Sequence, residues 1–260
     1  MHITGFSASR NTLKIALSKG LIDKAAKSVS ESMKNSEVVV ISVPVGSFYS
    51  VFSEIAFSRE NDSIVTDVGS TKANIIGDVK TILGGIPNWF VPGHPIAGSE
   101  SSGIEFSNPD LYHNKRVVIT PLNETSTEAI KVVSDFWKLQ GAEVFAMSAS
   151  KHDEIFASVS HLPRFLAFAL LNTIAQEKNP QEFFDFSAGG FKDISRLAGS
   201  NPVLWRDIAI GNREALLLTI DQYSKNLHKI RESIFKGDSK SLIALLSRAK
   251  NTRDSFYISD

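Results

Sequence analysis

The sequence predicts a doubly wound α/β domain followed by an all-α domain, and three observations carry that reading. Short apolar runs alternate with helical patterns at the spacing of strand–helix units as far as residue 147. One run, Val38-Val39-Val40-Ile41-Ser42-Val43, is β-branched and almost wholly apolar, which suits a strand covered on both faces in a parallel sheet. From about Ser148 the strand signals stop and only helical periodicity continues. The expected division is therefore 1–147 and 148–260.

Taken in order, the expected strands are His2–Phe6, Val38–Val45, Ser63–Val68, Trp89–Val91, Arg116–Thr120 and Glu143–Met147, with helices near Asn11–Lys19, Ser47–Phe57, Thr71–Leu83 and Ser126–Leu139. A nucleotide-binding domain of this class opens with a strand, a glycine-rich turn and a helix whose N-terminus holds a pyrophosphate. Here the only early glycine is Gly5, and Gly5-Phe6-Ser7-Ala8-Ser9-Arg10 reads as the tip of the second strand. The Rossmann-like domain is thus expected to lack its first strand, glycine loop and first helix, a unit of roughly 30 residues. A start placed at an internal methionine explains this better than a true loss, because a sheet without its central strand exposes two unpaired edges.

Beyond Ser148, a serine cap opens a long helical pattern reaching about Gln176. Pro163 interrupts its hydrogen-bond ladder, so the helix should kink there. The stretch Asn201 to Phe235 reads as one long helix with proline in its first turn. Leu216, Ile220, Tyr223, Leu227, Ile230 and Ile234 recur at alternating spacings of four and three, which fits an internal bundle core and a dimer seam equally well.

Composition narrows the function classes. Lys plus Arg and Asp plus Glu are 28 each, so no basic field exists for nucleic acid. The absence of cysteine excludes disulfides, a thiolate nucleophile and thiolate metal sites. No apolar run approaching a membrane span and no signal peptide are read, so the expectation is a cytoplasmic protein acting on a small molecule, with no metal.

Candidate chemistry lies at the carboxyl ends of the strands, where open α/β sheets bind ligands. At the tip of the second strand the usual ribose-binding carboxylate is replaced by Ser7, Ser9 and Arg10; hydroxyls and a guanidinium favour the 2′-phosphate of NADP over NAD. Solvated turn residues capping the next helix are the plainer reading. Ser42, Pro44 and Asp67 are further expected cofactor contacts. Ser70 or Thr71 falls where a helix start favours an anion, or is an ordinary cap. His94 follows a strand and is held between Gly93 and Pro95, a placement that suits a general base. His161, just before Pro163, is aimed into a cleft or merely fits packing. Gly189-Gly190-Phe191-Lys192-Asp193-Ile194-Ser195-Arg196 reads as an anion clamp, or as surface charge.

As a set, Gly-His-Pro-Ile-Ala-Gly at 93–98, Ser-His-Leu-Pro at 160–163 and Gly-Gly-Phe-Lys-Asp-Ile-Ser-Arg at 189–196 resemble the prephenate/arogenate dehydrogenase family of tyrosine biosynthesis. The likeness runs from about Gly5 to the C-terminal helices and leans to the NADP-linked arogenate branch. It implies an NAD(P)-dependent oxidoreductase carrying out an oxidative decarboxylation, and a homodimer formed through the helical domain. His94 would be the base on the ring hydroxyl, with Ser70 sharing that hydroxyl or orienting His94. Arg196 would bind a substrate carboxylate, helped by Asp193 and His161, while Trp205, Ser99 and Glu100 line the pocket. Two other readings stand beside it: a catalytically inactive ligand-binding or dimer-partner form, because the phosphate loop is absent, and a different two-domain dehydrogenase of hydroxy or imino acids.

Overall fold

The computed structural model describes residues 2–59, 62–98 and 103–257; Ser99 and Glu100 lie outside the described residues. The chain forms two compact units, Met1–Arg213 and Glu214–Asp260.

The first unit opens with β1 (Thr4–Gly5), α1 (Arg10–Ser18), β2 (Lys24–Ala25) and α2 (Val29–Met33), and β1 pairs in parallel with β2. Next come β3 (Val38–Ile41), α3 (Phe48–Ser58), β4 (Ile64–Asp67), α4 (Ala73–Leu83) and β5 (Phe90–Val91), whose strands form a parallel sheet in the order β3-β4-β5. Among the described residues no ladder joins β1 to β3. The β-branched strands are covered as their composition requires: Ile41, Val65 and Phe90 are buried with Phe48, Phe52 and Ile55 of α3 and Ile75 and Val79 of α4.

Pro92 has no N–H to give to the ladder, and it separates β5 from β6 (Gly93–Pro95). The chain leaves the parallel sheet there and pairs antiparallel with β7 (Arg116–Ile119), His94 standing opposite Val118. The sequence treats 93–98 as a constrained loop; its first three residues are in fact a strand, invisible to propensity because Gly, His and Pro carry no β signal. A Cβ on Gly93 would lie 2.9 Å from the Asp67 carbonyl oxygen and 3.1 Å from Thr66 Oγ1, so only glycine lets β6 approach β4 this closely. After α5 (Thr127–Leu139), β8 (Glu143–Ala146) adds to β7 in parallel, and Val91, Val117 and Ile119 pack on Ala129, Val133 and Trp137 of α5.

The helical part of this unit begins with α6 (Ala149–Phe156), capped by Ser148, whose hydroxyl accepts from Lys151 N at 3.2 Å. The expected kink takes the form of a π-helical segment, Ala157–His161, before α7 (Leu162–Ala175). Pro163 has no N–H to donate to the Val159 carbonyl, and the wider turn absorbs the loss. Ala149–Ala175 is long and apolar enough to cross a membrane by length and composition, yet His152, Asp153, His161 and Arg164 interrupt it, so it holds no uninterrupted apolar run of that length. The stretch then continues through α8 (Pro180–Asp185), α9 (Gly189–Arg196) and α10 (Pro202–Gly211). The single helix expected over Asn201–Phe235 is instead two, because the backbone leaves helical geometry at Asn212 (φ −115°, ψ 35°). A Cβ on Gly211 would stand 3.0 Å from both Thr71 Oγ1 and Asn74 Nδ2, so glycine lets α10 close on the turn that leads into α4.

The second unit is the body of α11 (Arg213–Phe235) and α12 (Ser239–Tyr257). They are joined at Gly237 (φ +62°), whose N–H bonds the Ile234 carbonyl while Asp238 N–H reaches back to Ser233 O, a Schellman ending. Of the heptad-like positions, Leu216 is buried, whereas Leu227 and Ile234 are 51% and 63% exposed.

Replacing Gly93 by Ala should lower stability by about 1–3 kcal/mol, because the new methyl meets backbone and not a movable side chain. A urea midpoint equal to that of the parent chain would show that β6 can back away without cost.

Candidate active site

His94 is half-buried at the carboxyl edge of the sheet, and its ring packs edge-on against Phe156 (centroids 4.9 Å apart) and His152 (5.0 Å). Its Nδ1 lies 2.8 Å from His152 Nε2, and His152 Nδ1 lies 2.8 Å from Asp153 Oδ1. Asp153 is in turn fixed by the start of α4, where its two carboxylate oxygens accept from Lys72 N (2.9 Å) and Ala73 N (2.8 Å). The sequence places Ser70 or Thr71 as cap, or an external anion, at this helix start. The structure supplies the anion from α6, some 80 residues along the chain.

Beneath His94 sits a buried ion pair. Lys72 Nζ donates to Asp67 Oδ2 at 2.5 Å and to the Gly93 carbonyl at 2.6 Å. The Asp67 carboxylate also accepts from Gly69 N (2.7 Å) and Gly93 N (3.0 Å). Asp67, expected as a cofactor contact, is thus turned inward and only 1% exposed; its work is to hold the turn after β4 against the strand that carries His94. Both members of the pair are buried and hydrogen-bonded, and removing one partner would strand a charge.

His161 is fully buried at the end of the π segment. Its Nδ1 lies 3.1 Å from Asn212 Nδ2, which also donates to the Asp153 carbonyl at 2.8 Å, and its ring meets Trp205 edge-on at 6.0 Å. Trp205 carries the Arg164 guanidinium over its ring at 4.6 Å. Arg164 in turn donates to the Leu197 carbonyl (3.3 Å) and to Ser200 Oγ, which staples the end of α9 to α7. Sequence reasoning missed Lys72, His152, Asp153, Arg164 and Asn212. Only the His-Asp pair at 152–153 offered a hint, and there it read as the first turn of a helix.

Gly189–Arg196, read as an anion clamp or as surface charge, is a helix, so Lys192 and Arg196 fall one turn apart on one face. Both line a cavity of about 430 Å³ with Ser195, Phe184 and Phe191. None of the three histidines, nor Asp193, lines that cavity, and Asp193 is exposed. Ser70 is half-buried in the turn between β4 and α4. At the tip of β1, Ser7 Oγ accepts from Ser9 N and Ser9 Oγ caps α1 through Thr12 N, each at 3.2 Å. Ser42 and Pro44 are exposed just past β3. The hydroxyl hydrogens of Ser7 and Ser9 and the exposed Arg10 are compatible with a phosphate there.

Burial shapes the electrostatics. It lowers the pKa of all three histidines. For His94 the Lys72 ammonium and the other two imidazoles add to burial and hold the value well below the ordinary one. For His152 the bond from Asp153 opposes burial without overcoming it. His161 is brought down to about 4. Burial likewise lowers Lys72, with Asp67 as the restoring charge. The sign for stability follows: the unfolded chain binds protons at its histidines near pH 6.5 while the folded chain does not. Stability from these groups is complete above about pH 6.5 and is lost as the pH falls toward about 4, so the urea midpoint should drop between about pH 7.5 and about pH 5. An unchanged midpoint over that interval would contradict the buried neutral imidazoles.

Comparison with known proteins agrees with this architecture along the chain. Residues 1–146 match the family model described as prephenate dehydrogenase, nucleotide-binding domain, and residues 148–248 match the one described as prephenate dehydrogenase, dimerization domain. A prephenate dehydrogenase of Bacillus subtilis is 32% identical over 257 residues, covering 97% of this chain and 68% of that protein. A cyclohexadienyl dehydrogenase of Zymomonas mobilis is 32% identical over 234 residues, covering 89% and 79%. Among solved structures, prephenate dehydrogenase from A. aeolicus in complex with hydroxyphenyl propionate and NAD+ aligns with a TM-score of 0.90 at 35% identity, over 98% of this chain and 89% of that one. Synechocystis arogenate dehydrogenase aligns with a TM-score of 0.81 at 26% identity, over 98% and 91%.

Proposed function

Because the chain belongs to the prephenate dehydrogenase family, we propose that it carries out the NAD(P)-dependent oxidative decarboxylation of prephenate or arogenate in tyrosine biosynthesis, as a cytoplasmic homodimer, with His94 as the base. The observation that carries this reading is the hydrogen-bonded line His94–His152–Asp153 at the ligand edge of the sheet. Burial and Lys72 keep His94 in its neutral, proton-accepting form at ordinary pH. The division of labour follows the expected boundary: residues 1–147 hold the cofactor and residues 148–260 complete the substrate site and the dimer. Exposed Leu227, Ile234 and Phe235 on α11 and Ile243 and Leu246 on α12 support a second copy as what covers that surface.

His94 takes the proton of the ring hydroxyl, which raises electron density at the carbon bearing it. When bound, the nicotinamide supplies the acceptor for the hydride that leaves this carbon. The ketone so formed draws the electron pair of the ring carboxylate bond as carbon dioxide departs. His94 returns its proton to the phenolate that aromatisation leaves. Ser70, in the turn after β4, shares the hydroxyl; Trp205, Ser99 and Glu100 line the pocket. Arg196 grips a carboxylate, helped by Asp193 and His161. What supports placing Arg196 with the imidazoles is the staple through Arg164, which reaches from Trp205 to the carbonyl of the residue next to Arg196. Ser7, Ser9 and Arg10, together with Ser42 and Pro44, hold the cofactor, and the lack of a carboxylate at the β1 tip favours NADP over NAD.

His94→Asn should cut turnover by about 10²–10⁴-fold with substrate binding largely kept, whereas Arg196→Ala should mainly raise KM. Steady-state rates of nicotinamide reduction check both, and normal turnover in His94→Asn would remove the base. The same assay run with NADP and NAD should give the larger kcat/KM with NADP; a preference for NAD would overturn the role given to Arg10.

A further inference from the structure

We propose that Asp153 sets the two active-site imidazoles in opposite tautomers, making His94 a hydrogen-bond acceptor and His161 a hydrogen-bond donor toward the substrate, through His152 on one side and Asn212 on the other. The inference rests on the reading above for which groups meet the substrate. It adds two positioning residues, His152 and Asn212, and a specific protonation pattern.

The first branch runs through the Asp153 side chain. An ionised carboxylate only accepts hydrogen bonds, and this one is anchored by two backbone N–H groups at the start of α4. His152 Nδ1, 2.8 Å from Asp153 Oδ1, therefore carries the proton. His152 is fully buried and near the Lys72 ammonium, so it stays neutral and its Nε2 holds a lone pair. The 2.8 Å contact from that Nε2 to His94 Nδ1 requires the hydrogen to sit on His94. With Nδ1 protonated, neutral His94 keeps its acceptor lone pair on Nε2, as a base needs.

The second branch runs through the Asp153 backbone. Its carbonyl can only accept, so the group 2.8 Å from it is the NH2 of Asn212. The same NH2 lies 3.1 Å from His161 Nδ1, which must then be the acceptor. Neutral His161 consequently carries its proton on Nε2, and that atom is buried with no hydrogen-bond partner among the described residues. A buried N–H without a partner is costly, and an oxygen of the bound substrate would satisfy it. The pair suits a reaction in which one oxygen must lose a proton while another acceptor group is held still.

The test begins on the unaltered protein. A long-range nitrogen–proton correlation spectrum of nitrogen-labelled histidine, assigned with single substitutions, should show His94 protonated at Nδ1 and His161 protonated at Nε2. His152→Leu should shift His94 toward the Nε2–H form and lower kcat by about 10–100-fold with KM nearly unchanged. His152→Gln, whose side-chain carbonyl can still accept from Nδ1, should restore most of that loss. Asn212→Asp, isosteric but accepting, should move the His161 proton to Nδ1 and raise KM more than it lowers kcat. Finding His94 protonated at Nε2 in the parent protein, or tautomers unmoved in His152→Leu and Asn212→Asp, would overturn the proposal. The spectra need no turnover, so failure of the assigned reaction would leave them readable and would show itself separately as normal rates in His94→Asn.

Discussion

The site depends on one interaction, the carboxylate of Asp153 accepting two backbone N–H groups at the start of α4. A helix start leaves amides without intrahelical partners, and its dipole favours negative charge. By answering that need from α6, the chain pins its first C-terminal helix to the sheet edge where β4 ends and β6 begins. His152 follows by being the preceding residue, and His94 follows by facing it from β6. Lys72 serves both sides of the joint: its backbone N–H holds Asp153, and its ammonium holds Asp67 and the carbonyl of Gly93. A displacement of any of these groups would be felt at His94.

The same joint explains why both histidines can be buried yet useful. Burial in a low-dielectric setting disfavours the charged imidazole, and here it leaves neutral rings whose protons are placed by neighbours instead of by solvent. His94 is left half-exposed toward the ligand edge, and His161 is fully enclosed beside Trp205. The π segment contributes by widening the turn just before Pro163, which has no N–H to give to the Val159 carbonyl, and His161 lies fully buried at its end.

Much of this was legible in the sequence, because burial leaves a pattern. The six expected strands contain six of the eight observed, and the β-branched run at 38–43 marks the covered parallel sheet through β3. The pair of residues in β2 was too short to leave a trace, and β6 was hidden by glycine, histidine and proline. The break at Asn212 was missed for a different reason: apolar spacing continues through it, and only a side chain engaged with Asp153 and His161 reveals why the backbone departs there. His94 and His161 stood out by local context, while Trp205 entered only through the family resemblance, and the structure groups the two imidazoles with Asp153 and Asn212. Their partners did not stand out, since Lys72, Asp153 and Asn212 act across long stretches of chain that periodicity does not connect. Arg196 illustrates the limit of charge spacing: its helix aligns it with Lys192 and leaves Asp193 outside their cavity.

The central claim is that the ring hydroxyl of the substrate is held by His94. A crystal structure of the protein with a para-hydroxyphenyl propionate and NADP bears on it most directly. The account predicts the phenolic oxygen about 2.6–3.2 Å from His94 Nε2. A ring bound with that oxygen turned away from His94, beyond reach even through one water, would contradict it.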